Sequence, residues 1–194
     1  MITLQNVSLT YDDKQVLDNF TQTIPTDQIT CLFGPSGSGK TTLLHLLAGL
    51  VVPQSGEITG LPKKPALLFQ EDRLIPHLTA EANIAAVLPK DRKHEAMDWL
   101  RRVGLESDAH LRPSALSGGM RRRIALARTL AFGGDFLLLD EPFTGLDFAL
   151  TEQMATLIRE TNTGALIITH SPDEITLLDA QTLKVEGIPL RVCP

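Results

Sequence analysis

The chain has little of what would tie it to several common classes of protein. Only two of its 194 residues are cysteine, one in an apolar run (Cys31) and one near the end (Cys193), so no disulfide framework is available. Neither cysteine shares a metal-ligand spacing with the other or with the five histidines. That usage suits a reducing, cytosolic compartment. No apolar run approaches the roughly 18 residues of a membrane span, and Met1-Ile2-Thr3-Leu4 opens like a strand rather than a signal peptide. The expectation is a soluble chain, free to sit on a membrane protein. Basic excess is also missing: the net charge of −5 disfavours a protein that tracks nucleic-acid phosphates. The one strong basic cluster is Arg121, Arg122, Arg123 and Arg128, whose spacing spreads the four around a helix, as a solvated face or as helix support. There is no repeat, low-complexity tract or long linker. A single domain of this length buries roughly 70% of the surface its unfolded chain exposes, enough for a real core.

What is present is an alternation of strand-like and helix-like segments. Residues 2–11 and 15–24 are rich in strand formers and flank Asp12-Asp13-Lys14, which reads as an antiparallel hairpin. Residues 28–33 form a third strand, 40–50 a helix, and 57–59 and 66–69 two short strands after Pro/Gly turns. From 71 to about 115 the periodicity becomes helical, with apolar residues at helix spacing over 80–88 and 92–103, bounded by Pro76, Pro89 and Gly104. Residues 118–132 are a further helix. Phe136-Leu137-Leu138-Leu139 is the continuous apolar run of a parallel strand buried on both faces. Helix 148–161, strand 165–169 and helix 172–178 repeat the βα rhythm, and 183–192, turning at Gly187, closes as two short strands. The expected class is α/β, with a mainly parallel sheet, an N-terminal antiparallel β subdomain and an inserted helical subdomain. In domain terms, residues 1–194 form one unit, with 1–70 and 116–194 as core and about 71–115 as the insert.

Three segments carry chemistry. Gly34-Pro35-Ser36-Gly37-Ser38-Gly39-Lys40-Thr41, followed by Thr42, lies between a strand and a helix, the setting of a phosphate-binding P-loop. Its glycines let successive N–H groups turn toward an anion, and the helix N-terminus adds about half a positive charge. Lys40 would reach the outer phosphates of a nucleotide, and Thr41 a magnesium ion. Asp140-Glu141 ends an apolar strand, where a doubly wound sheet gathers ligands. Asp140 would orient magnesium and Glu141 would act as general base on a water; without the P-loop the pair would read as a strand end before Pro142. Ser117-Gly118-Gly119 offers a hydroxyl and N–H groups at the start of a helix, a second anion site; alone it reads equally as an N-cap.

Leu116-Ser117-Gly118-Gly119-Met120 with Arg121-Arg122-Arg123, in this order after the P-loop, resembles the signature of ATP-binding-cassette (ABC) ATPases. The resemblance covers nearly the whole chain. It implies a P-loop NTPase core that binds and hydrolyses ATP with Mg2+. It also implies a head-to-tail dimer, homodimeric or with a paired subunit, in which the signature of one chain closes on ATP held by the other. On the same resemblance, Gln70 is the Q-loop glutamine, touching magnesium and water. Asp147 in Gly145-Leu146-Asp147 belongs to the interface-crossing D-loop, and His170 is the switch histidine at the γ-phosphate. Tyr11 matches the aromatic that stacks on adenine, though it reads nearly as well as a hairpin residue. Arg122 stands where many relatives carry glutamine and Gly145 where many carry alanine or serine, neither of which removes a phosphate contact. Glu141 argues against a degenerate site, and the short stretch after His170 implies no C-terminal regulatory domain.

The function implied is the ATPase subunit of an ABC transporter on the cytoplasmic face of the inner membrane. It would dock onto separate integral membrane permease subunits, with an extracytoplasmic solute-binding protein as a further partner and no nucleic acid. The segments 69–76 and 140–147 look most like bacterial importers of small nutrients such as sulfonates, nitrate or thiamine; an exporter subunit stays open. The other class of reading is a non-transport cassette ATPase of DNA repair or translation. Those relatives carry a split cassette, zinc modules or two cassettes, and this sequence has one uninterrupted cassette. A small-molecule kinase would share the P-loop but not the signature.

Overall fold

The computed structural model describes residues 1–11 and 13–193; Asp12, in the expected hairpin turn, and Pro194 lie outside the described residues. The chain divides into two compact units, the first made of residues 1–67, 135–141 and 163–194, the second of 68–134 and 142–162.

The first unit carries two sheets. Strands β1 (Ile2–Tyr11) and β2 (Lys14–Ile24) pair antiparallel, and β4 (Ser55–Thr59) joins the other edge of β1. The larger sheet has six strands in the order β5-β6-β7-β3-β8-β9, comprising β3 (Ile29–Phe33), β5 (Pro65–Leu68), β6 (Phe136–Asp140), β7 (Ala165–Thr169), β8 (Gln181–Glu186) and β9 (Arg191–Val192). Every residue of β6 and β7 is buried, as the unbroken apolar runs predict for parallel strands covered on both faces. Parallel register fixes where these strands end. Phe33 lies opposite Thr169, and Asp140 opposite Ile168, so the turns that follow β3, β6 and β7 leave the sheet at one edge.

Helix α1 (Lys40–Leu47) supplies Leu43, Leu44, Leu46 and Leu47 to a single apolar cluster. That cluster also holds Ile2, Leu4 and Phe20 of the antiparallel sheet and Leu32, Leu138, Leu166 and Ile168 of the parallel one. Burying a leucine side chain stabilises by about 1.5–3 kcal/mol, so α1 and its preceding loop are anchored through four such side chains. The helix stops at Leu47, short of the expected 50, because Gly49 turns left-handed (φ 71°). Cys31 is buried in β3, where burial, with Glu174 adding to it, pushes its thiol up to about 12.

The second unit is helical: α2 (Ala80–Ala85), α3 (Glu95–Arg102), α4 (Gly118–Phe132) and α5 (Phe148–Glu160). Helix α6 (Pro172–Leu177) follows β7 in the first unit. The helix expected to begin at 92 begins at Glu95, because Lys90–Arg92 winds as a separate tight turn in which Arg92 N–H donates to the Pro89 carbonyl (3.0 Å). Thr79 caps α2, and the fully buried Asn83 amide donates to Ile75, Leu78 and Thr79 carbonyls while its oxygen accepts from Ile75 N–H, fixing the turn before that helix. Arg102 joins Glu160 (2.8 Å) and accepts from Gln153 at its carbonyl, holding α5 to α3. Among the described residues no helix is long and apolar enough to cross a membrane.

Truncating Leu44 to alanine should lower unfolding free energy by about 2–5 kcal/mol through the cavity it leaves under α1; urea denaturation followed by far-UV circular dichroism measures it.

Candidate functional site

The loop from Gly34 to Gly39 connects β3 to α1, and two close approaches set its path. A side chain at Gly34 would meet the Val185 carbonyl oxygen at 2.1 Å, because β8 runs beside β3 there. A side chain at Gly39, whose φ is 101°, would meet Val16 at 2.6 Å. Gly37 is also left-handed (φ 75°) but faces open space. Only glycine satisfies both the left-handed backbone and the crowding at Gly39. Pro35, Ser36 and Gly37 are exposed, while Ser38 and Lys40 are buried.

Lys40 folds back over this loop, its ammonium donating to the carbonyls of Gly34 (2.9 Å) and Pro35 (2.7 Å). Burial lowers its pKa, and the nearby Glu141 and Asp140 carboxylates oppose that shift. The Ser38 hydroxyl, 2% exposed, has no hydrogen-bond partner among the described residues. A buried unpaired hydroxyl costs stability unless a ligand satisfies it, so its place in the loop suits an anion with several acceptor oxygens. Thr42 follows on the first turn of α1 and is half-buried.

Thr41 donates its hydroxyl proton to Asp140 Oδ2 (2.7 Å), joining the start of α1 to the end of β6. Asp140 is 3% exposed. Hard oxygen donors in this number fit magnesium, which takes one or two side-chain ligands and completes its shell with phosphate and water. No cluster of three or more His, Cys, Asp or Glu among the described residues offers an all-protein metal site.

Glu141, next in the chain, has a left-handed backbone (φ 48°) that its N–H, donating to the Ile168 carbonyl (3.1 Å), helps to hold. Such a conformation costs a non-glycine residue on the order of 1–3 kcal/mol and gathers at functional sites. It presents the carboxylate to His170, whose Nε2 lies 3.1 Å from Glu141 Oε1. His170 is exposed at the end of β7, as the level register of β6 and β7 requires. Behind it, Thr169 donates its hydroxyl to the Glu174 carboxylate and accepts from Ser171 N–H (3.0 Å), closing the backbone around His170. Burial raises the Glu174 pKa and Glu141 adds to this, while the Thr169 hydrogen bond and His170 pull it down. Sequence reasoning missed Glu174 and Thr169; a carboxylate in the first turn of α6, four residues after His170, was the available signal.

The first unit thus brings together Lys40, Thr41, Asp140, Glu141 and His170, and it places Tyr11, opposite Lys14 in the hairpin, 42% exposed. Gln70, Ser117, Gly118, Gly119 and Asp147 belong to the second unit. There Ser117 caps α4, its hydroxyl accepting from Met120 N–H (3.2 Å), and Asp147 caps α5 by accepting from Leu150 N–H (2.9 Å). A side chain at Gly119 would come within 3.1 Å of the Gly145 carbonyl. Gln70 is exposed. The arginine cluster differs from a solvated face. Arg121 donates to Leu116 O (2.7 Å), Arg123 to Val103 O (2.6 Å), and Arg122 is buried, its guanidinium donating to backbone carbonyls of another segment.

Residues 17–144 match the sequence profile of the ABC transporter family. The chain is 40% identical over 200 residues to a thiamine import ATP-binding protein of Brucella abortus, covering 92% of this chain and 82% of that protein. It is 34% identical over 212 residues to a taurine import ATP-binding protein of Pseudomonas aeruginosa, covering 98% and 81%. Among solved structures, it superposes with a TM-score of 0.85 and 27% identity on a dimeric ATP-binding cassette in a post-hydrolysis state bound to ADP and Pi, over 95% of this chain and 94% of the other.

Gly34→Ala forces the added carbon against the β8 backbone, and it is expected to lower stability by about 1–3 kcal/mol in a thermal or urea melt.

Proposed function

The chain belongs to the ABC transporter family, and from that premise we propose that it is the ATP-binding, ATP-hydrolysing subunit of a bacterial importer of small nutrients. It works against separate integral membrane permease subunits at the cytoplasmic face of the inner membrane, with an extracytoplasmic solute-binding protein delivering the nutrient. The observation that carries the reading is the level ending of β3, β6 and β7, which sets Lys40, Thr41, Asp140, Glu141 and His170 around one edge of one sheet.

In this reading the loop 34–39 wraps the triphosphate, with Ser38 and the loop amides donating to its oxygens. Lys40 exchanges its carbonyl partners for the outer phosphates; a lysine already stripped of part of its hydration gives up less on meeting an anion. Thr41 and Asp140 would hold magnesium, which would supply positive charge against the phosphates, and the family resemblance would make Gln70 a further ligand. Glu141 accepts a proton from the attacking water, and His170, already hydrogen-bonded to Glu141, keeps that carboxylate and the water aligned on the γ-phosphate. Phosphoryl transfer asks little covalent chemistry of a protein, so rigid placement of these groups supplies most of the rate.

Two copies act together. The turn at 117–119 of one copy closes on the γ-phosphate held by the other, Asp147 lies along the shared face, and Tyr11 stacks on the adenine. Hydrolysis removes the bridging phosphate and lets the pair open, which drives the permease. The importer names of the relatives favour transport over DNA repair or translation.

Glu141→Gln removes the proton acceptor while keeping the shape. Turnover of ATP should fall about 10²- to 10⁴-fold with nucleotide affinity retained, and the variant should accumulate as an ATP-bound dimer in size-exclusion chromatography; unimpaired turnover contradicts the assignment of the base. Lys40→Ala loses a charge-assisted contact and should weaken ATP binding roughly ten- to a hundredfold in equilibrium titration. Unchanged affinity rejects the loop as the nucleotide site.

A further inference from the structure

Arg122 is 2% exposed on α4, in the turn after the Ser117 cap. Nη1 donates to the Phe69 carbonyl (2.8 Å) and the Gln70 carbonyl (3.1 Å) and lies 3.4 Å from Asp72 Oδ1. Two more arginines of α4 reach the same stretch. Arg128 donates to the carbonyls of Arg73 (2.9 Å) and Asp72 (3.0 Å), and Arg121 Nε lies 3.7 Å from Asp72 Oδ2. Arg73 in turn, left-handed at φ 44°, places its guanidinium 3.6 Å from the centroid of the Phe69 ring. The segment from Phe69 to Arg73 has no helix or strand hydrogen bonding of its own. Its path is set by side chains of α4.

Burying a guanidinium is costly, and carbonyls of an exposed loop are satisfied by water at no such cost, so fold stability alone gives no reason for Arg122. The gain is geometric. A permanently charged, planar guanidinium whose Nη1 donates to two consecutive carbonyls fixes their position relative to the helix, at a reach that neither glutamine nor lysine matches. The backbone of Gln70 is gripped while its side chain stays exposed.

We infer that Arg122 is a positioning residue: it locks the Gln70 loop to the helix capped by Ser117, so that Gln70 and the turn at 117–119 move as one body. The inference rests on the reading of Gln70 as a participant in ATP hydrolysis. A shift of α4 is then transmitted to Gln70 directly, with no slack in the loop. Arg122 touches no nucleotide in this account and acts only through Gln70.

The test is steady-state ATP turnover and equilibrium ATP binding by the full chain carrying Arg122→Gln, Arg122→Lys, Gln70→Ala, and Gln70→Ala combined with Arg122→Gln. Loosening a positioned group far from the chemistry costs up to about a hundredfold, so Arg122→Gln should lower kcat about ten- to a hundredfold while KM and the ATP dissociation constant stay within about twofold. Arg122→Lys keeps the charge but not the planar guanidinium or its reach, and should fail to restore kcat. With Gln70 already truncated, Arg122→Gln should cost nothing further in kcat. Amide exchange over residues 69–73 should quicken in Arg122→Lys without a matching change over 124–130. An unchanged kcat, a loss that multiplies fully with that of Gln70→Ala, or restoration by lysine overturns the inference. Those outcomes leave the nucleotide site standing, whereas intact ATP binding by Lys40→Ala removes the reading beneath it.

Discussion

Parallel pairing of β3, β6 and β7 in level register is the constraint from which the candidate site follows. Each strand is a short apolar run whose burial on both faces permits only a small sheet shift before leucine and isoleucine side chains meet the wrong layer. With Phe33 opposite Thr169 and Asp140 opposite Ile168, the three following turns must open side by side. Asp140 is the last residue of β6, Glu141 and His170 are the first past β6 and β7, and Lys40 and Thr41 begin the helix that the loop 34–39 joins to β3. A sheet whose β6 and β7 are buried throughout thereby places a lysine, two carboxylates and a histidine with a precision that a loop alone would not provide.

Two small couplings then join the turns. Thr41 to Asp140 ties the helix after the glycine loop to the end of β6, and Glu141 to His170 ties β6 to β7. The left-handed Glu141 is the strained member, held by its backbone bond to Ile168. Behind His170, hydrogen bonds join Ser171 to Thr169 and Thr169 to Glu174, holding the backbone on either side of the histidine. In the second unit the arginines of α4 do for the Gln70 loop what register does for the strand ends: they remove freedom from a segment that has no regular structure.

The strand and helix pattern was legible because continuous apolar runs and helix-spaced ones differ plainly in period, and β7 and α4 fall on the expected residues. Helix ends were read less well where the stop depends on local geometry, as at Gly49, or where a proline starts a separate tight turn, as after Pro89. The glycine loop, Asp140-Glu141, the 117–119 turn and His170 were visible as residue types in order. What the sequence concealed is long-range. Nothing near Gly34 reveals that Val185 crowds it, and four arginines around a helix read as a solvated face or as helix support, with no sign of the carbonyls they meet, because charged side chains are seldom buried unless paired. Arg122 is buried only because carbonyls some fifty positions earlier in the chain come to meet it.

The account stands or falls on ATP being hydrolysed at these strand ends by two copies acting together. The most direct measurement is phosphate release per chain from magnesium ATP across a wide range of protein concentration. The account predicts specific activity that climbs with concentration and levels off as the pairs fill. Activity that is already maximal for dilute single chains, or absent at every concentration, contradicts it.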